Sequence, residues 1–151
     1  MKNKVSSWKV GDVKITRIIE GERAGPMFVV PDAIPENIIK MPWLQPYFSD
    51  SKGNTIVSVH ALVIETKEKC IIVDTCLGND KERHIPSWNN LQTKFLEDLE
   101  SAGYKTDDID TVLCTHLHTD HVGWNTILVD DKWEPTFKKA DYLFGREEWN
   151  Y

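Results

Sequence analysis

The chain has 151 residues, 18 basic and 24 acidic, for a formal charge of −6. That length suits one ordinary domain, and 40% hydrophobic residues with six Trp exclude a disordered or fibrous protein. The acidic balance excludes a phosphate-backbone binder, and no apolar run approaches the roughly 18 residues of a membrane span, so neither nucleic acid nor membrane is an expected partner. Lys2, Lys4 and Lys9 interrupt the N-terminus, which therefore reads as no signal peptide and places the chain in the cytoplasm. Cys70, Cys76 and Cys114 form no CxxC pair and read as reduced thiols.

In chain order, Trp8 to Glu20 predicts a hairpin turning at Val10-Gly11-Asp12-Val13. Residues 25–54 follow as a Pro- and aromatic-rich loop, broken by Pro26, Pro31, Pro35, Pro42 and Pro46 and carrying Met27, Phe28, Trp43, Tyr47 and Phe48. A loop that apolar must cover a pocket, a partner or its own core. Thr55 to Glu65 and Cys70 to Asp74 predict a buried hairpin around a polar turn. Leu91, Phe95, Leu99 and Ala102 recur at helical spacing, which predicts a helix over Asn89 to Gly103 with an Asn cap and a Gly stop. Asp110 to Thr115 reads as a short buried strand, Ile127 to Phe137 as a hairpin about Asp130-Asp131, and Ala140 to Phe144 as a last strand. Gly145 to Tyr151 looks like the opening of a helix that is cut within the element. The order is α/β or α+β, and residues 1–151 read as a single, apparently truncated domain.

The chemistry concentrates in Thr115-His116-Leu117-His118-Thr119-Asp120-His121, which holds three of the five histidines. In an extended segment residues two apart point the same way, so His116 and His118 can share one cation. Asp120 and His121 lie beyond, where Gly123 lets the chain turn, and suit a neighbouring cation. Imidazole with carboxylate fits zinc, with iron or manganese also suited, and does not fit an all-oxygen magnesium or calcium shell. His60, in mid-strand, reads as structural and His84 as exposed; Cys76 and Cys114 read as small buried thiols.

His116-Leu117-His118-Thr119-Asp120-His121 resembles the HxHxDH signature of the metallo-β-lactamase-fold hydrolases. Ile72 to Asn79 resembles that family's earlier D-T-G-x-G motif, with Cys76 where glycine is usual. Val122 to Asn125 and Ala140 to Trp149 are similar to the branch with acyl-homoserine lactonases and methyl-parathion-type hydrolases. The resemblance implies the N-terminal half of an αβ/βα sandwich, with a mostly antiparallel sheet, a covering helix and one apolar sheet face left bare. It implies two metal ions, zinc for preference, with His116 and His118 on the first, Asp120 and His121 on the second, and Asp74 as structural support. Asp120 is the candidate catalytic residue, steering a metal-activated water or its proton. The family's remaining ligands have no counterpart here, so the implied site is incomplete.

The implied activity is hydrolysis of a small ester, lactone or phosphotriester. Trp43, Phe48 and Trp124 are candidate walls of the substrate pocket, although the loop aromatics suit a dimer surface equally. Two alternatives stand beside it: a non-catalytic truncated metal-binding relative, and an iron-dependent oxidoreductase on the same fold. The bare face is expected to drive self-association as a homodimer, or pairing with a separate C-terminal half.

Overall fold

The computed structural model describes residues 4–25, 27 and 30–151; Lys2, Pro26 and Phe28, used in the reading above, lie outside them. The described residues of Met1–Glu20 together with His60–Tyr151 form one compact unit, and Gly21–Val59 supply a second.

Strands β1 (Val5–Val10) and β2 (Val13–Gly25) pair antiparallel with Val10 opposite Val13, turning at Gly11 with φ 60°. β2 therefore continues well past Glu20. The described residues of the Pro-rich stretch contain the short helix α1 (Pro35–Ile38) and a 3-10 turn, Pro42–Leu44. β3 (Thr55–Glu65) and β4 (Cys70–Val73) make the second hairpin, with Leu62 opposite Val73 and Glu65 opposite Cys70. Thr66 closes its turn by accepting the Glu68 and Lys69 N–H groups on its hydroxyl.

The expected long helix is shorter: α2 covers Phe95–Ser101 only. Residues 89–94 spend their hydrogen bonds elsewhere, which is why they do not begin a helix. Asn90 N–H donates to the Lys81 carbonyl, the Leu91 carbonyl accepts from Asp80, and Thr93 pairs with the Asn79 side chain. The C-terminal stop falls as expected. Gly103, at φ 95°, donates to Glu100 while Tyr104 donates to Leu99, the two bonds of a Schellman motif.

β5 (Thr111–Leu113) lies parallel to β4, a ribbon of β6 (Thr126–Val129) and β7 (Lys132–Pro135) follows, and β8 (Asp141–Leu143) lies parallel to β5. The ribbon turns through Asp130 and Asp131, at φ 48° and 61°, as a two-residue hairpin loop demands. A final helix, α3, spans Arg146–Asn150. The main sheet runs β1-β2-β3-β4-β5-β8, an α+β arrangement in which antiparallel hairpins are extended by two parallel ladders. No helix among the described residues is long and apolar enough to cross a membrane.

Register explains the core. Val63, Ile72 and Val112 are cross-strand neighbours in one row and fully buried, as are Phe95 and Leu99 of α2. The adjacent row, Leu62, Val73, Leu113 and Leu143, projects to the opposite face because side chains alternate along a strand. It is poorly covered, Leu143 being 51% exposed.

The tightest point is a backbone crossing. A Cβ added to Gly123 would sit 1.9 Å from the carbonyl carbon and oxygen of Leu77, and one on Gly78 would sit 2.6 Å from the Gly123 carbonyl. Both obstacles are main chain, so neither can rotate away. Gly123→Ala should therefore lower stability by more than about 3 kcal/mol or prevent folding, read from denaturant unfolding; a loss within experimental error would show that the crossing can open cheaply.

Candidate metal centre

β4 and β5 are parallel neighbours, so their C-terminal ends emerge on the same edge of the sheet, with Val73 opposite Leu113. One delivers Asp74 and the other Thr115 and the histidines. Asp74 N–H first donates to the Leu113 carbonyl, at 2.9 Å. Its carboxylate then accepts the Thr115 N–H at 2.8 Å and the Thr115 hydroxyl at 2.8 Å. Asp74 sits at φ 54°, a left-handed conformation that aspartate tolerates better than most residues.

These bonds set the histidine tautomers. Because a carboxylate only accepts, His121 Nδ1–H must donate to Asp74, at 2.8 Å, so that in the neutral ring Nε2 carries the lone pair. That Nε2 lies 3.6 Å from an Asp120 carboxylate oxygen. Thr115, having given its hydroxyl proton to Asp74, accepts from His116 Nδ1 at 3.1 Å. His116 Nε2 is then left facing His118 Nδ1, 3.1 Å away. The rings of His116 and His121 are themselves in contact, with centroids 3.9 Å apart.

The arrangement suits divalent metal in donor type and in pairwise spacing. Two imidazole nitrogens on one tetrahedral zinc, each about 2.0–2.1 Å from it, stand about 3.3 Å apart, close to the His116–His118 separation. A carboxylate holding the remote nitrogen of a metal-ligating histidine is the usual support, and Asp74 supplies it to His121. The structure brings two pairs of donors together, His116 Nε2 with His118 Nδ1 at 3.1 Å and His121 Nε2 with Asp120 at 3.6 Å. Among the described residues no group of three or more His, Cys, Asp or Glu is gathered for a single ion.

Other expected residues fall as follows. Trp124 is 3% exposed, stacked on Phe95 at 5.8 Å, and donates from Nε1 to Glu20, and it also borders a surface cavity with Thr93, Leu96, Ile127 and Leu128. Trp43 and Phe48 are 72% and 61% exposed and belong to the unit Gly21–Val59. Cys76 is fully buried, and burial, then the Glu20 and Asp74 charges, push its thiol well up, which keeps it a protonated core residue. Burial likewise raises Cys114, whose sulfur lies 3.4 Å from the Asn125 amide nitrogen. His84 is exposed and His60 half-buried within β3.

Three residues went unnoticed in the sequence. Glu20 is 4% exposed within β2, directly after the buried Ile18 and Ile19, where an isolated carboxylate was itself a signal. Asn125 accepts the Thr75 hydroxyl at 2.8 Å, and Glu148 on α3 accepts the Leu117 N–H at 3.2 Å, inside the histidine cluster. Neither lies in a spacing pattern that sequence could expose.

Asp74→Ala would strand the Thr115 N–H, the Thr115 hydroxyl and His121 Nδ1–H. It should lower the stability of the metal-free chain by about 1–3 kcal/mol in denaturant melts, and an unchanged midpoint would show that water replaces the carboxylate without loss.

Comparison with known proteins places the fold. In fold, the chain superposes on AidC, a dizinc quorum-quenching lactonase solved with a product N-hexanoyl-homoserine compound, at TM-score 0.70 and 21% identity over 97% of this chain and 46% of that one. It superposes on the hydrolase AbOPH of the beta-lactamase superfamily at TM-score 0.71 and 22% identity, over 99% and 47%. A probable metal-dependent hydrolase from Staphylococcus aureus gives TM-score 0.67 and 24% identity, over 95% and 50%. The chain thus spans about half the length of these structures. No curated protein gave a significant sequence match. The family description "Metallo-beta-lactamase superfamily" matches residues 54–147, which include Asp74 and the whole histidine cluster, and the chain belongs to that superfamily.

Proposed function

We propose that this chain carries the metal-binding half-site of a zinc-dependent hydrolase for a neutral ester, lactone or phosphotriester. The observation that carries the reading is the pair of lone-pair-bearing nitrogens, His116 Nε2 and His121 Nε2, each fixed by a hydrogen bond on its far ring nitrogen. Such orientation is what a ligand needs and what a surface histidine lacks. In this reading His116 and His118 hold one ion, His121 and Asp120 hold the second, and Asp120 also steers the proton of the attacking water. The ions, when bound, supply Lewis-acid polarisation of the substrate oxygen and acidify water. The fold relatives AidC, a lactonase, and AbOPH, a hydrolase, support a hydrolytic reading. Trp43, Phe48 and Trp124 are the aromatics offered for an apolar substrate, and the loop aromatics Trp43 and Phe48 suit a second copy of the chain equally.

A second reading, metal binding without turnover, is favoured by the two-ligand pairs, since no described point gathers three side-chain ligands. Titration of the purified chain with zinc, followed by lactone, aryl ester and phosphotriester assays, separates the two. Zinc-dependent turnover of any of these supports the hydrolase; zinc binding with none supports the second reading. His116→Ala and His118→Ala should each weaken zinc binding by more than about tenfold, measured by elemental analysis after dialysis. Unchanged zinc content in both variants would end the metal reading.

A further inference from the structure

Among the described residues Glu20 is the one buried carboxylate that the proposed chemistry does not use. It accepts four hydrogen bonds, all from neutral groups. Leu77 N–H donates to Oε2 at 2.7 Å, while Gly78 N–H, the Thr93 hydroxyl and Trp124 Nε1–H donate to Oε1 at 3.2, 3.0 and 2.7 Å. Two of these donors lie three and four residues after Asp74, and a third lies three residues after His121. The segments between are laced together: Thr75 N–H donates to the His121 carbonyl, Gly123 N–H to Cys76, and Trp124 N–H to Thr75, at 2.7, 2.7 and 2.8 Å. Glu20 therefore clasps the two chain segments at the point where Gly123 crosses Leu77 and Gly78.

From this clasp we infer that Glu20 is a positioning residue for the His121–Asp74 pair, and so for the second pair of metal donors; the metal part of the inference rests on the function proposed above. A carboxylate is needed there, because three donors converge on one oxygen and one on the other. A glutamine would turn an NH2 group toward at least one buried donor in either orientation. With the clasp opened, the 121–124 segment separates from 74–76, and His121 loses the bond that fixes its tautomer.

Long-range proton–nitrogen spectra of the histidine rings test this in the metal-free, full 151-residue chain, because ring nitrogen shifts report which nitrogen carries the proton. In the wild type His121 should be the Nδ1–H tautomer. In Glu20→Gln, and in Trp124→Phe, which keeps the carboxylate and an aromatic ring but removes one donor, the Nδ1–H population should fall at least about twofold. The Thr75 and Trp124 amides should exchange about tenfold faster. Val63→Ala, buried in β3 outside the network, lowers stability without touching the clasp and should leave the tautomer as in the wild type. If Glu20→Gln does not fold, Trp124→Phe decides alone. An unchanged His121 tautomer in the folded variants, or an equal shift in Val63→Ala, would overturn the inference. Cobalt titration of the wild type is a separate arm: failure to bind sinks the metal reading and leaves the tautomer result standing.

Discussion

The main chain of Leu77 and Gly78 crosses that of Gly123 with no room for a side chain at either glycine. That crossing fixes where the histidine cluster sits. Thr75 and Cys76 on one side exchange three backbone hydrogen bonds with His121, Gly123 and Trp124 on the other, and the Glu20 carboxylate closes the end of the ladder. A buried carboxylate is costly unless its lone pairs are filled, and here four donors fill them. Removing any one partner leaves a group stranded away from water, so the network holds as a unit.

From this anchor the site assembles with little freedom. Parallel strands β4 and β5 end side by side, bringing Asp74 against Thr115; Asp74 then orients His121 directly and His116 through the Thr115 hydroxyl. The cost appears in the backbone. Asp74, Cys76 and Asp80 all adopt left-handed φ, at 54°, 56° and 62°. For a residue with a Cβ this costs roughly 1–2 kcal/mol. Cys76 stands where the family commonly has glycine, and its positive φ gives the physical reason for that preference. Such a conformation persists only where surrounding bonds over-determine it, as they do on both sides of Cys76.

The neighbouring contacts extend the same logic outward. Asn125 ties Thr75 to Cys114, and Tyr142 on β8 donates to the Asn125 carbonyl while accepting the Phe137 N–H. Glu148 reaches back from α3 to the Leu117 N–H between the paired histidines. The cluster is thus braced by strands and loops far apart in sequence, although its four candidate ligands lie within six consecutive positions.

Local pattern determined a great deal. Alternation placed the two hairpins, a pair of acidic residues placed the β6/β7 turn, Gly103 placed the end of α2, and the HxHxDH spacing placed the candidate ligands, because each of these depends on residues within a few positions of one another. The start of α2 was misplaced, since the bonds that hold Asn90, Leu91 and Thr93 come from residues 79–81 and outweigh a helical period. Sequence also cannot show that the Trp124 ring stacks on Phe95 and that its N–H meets Glu20. The partners of Glu20 and of Asn125 were invisible for the same reason. Tertiary structure alone decided which buried polar groups meet, since hydrogen-bond satisfaction joins residues 57 to 104 positions apart around Glu20 and leaves no short-range periodicity to read.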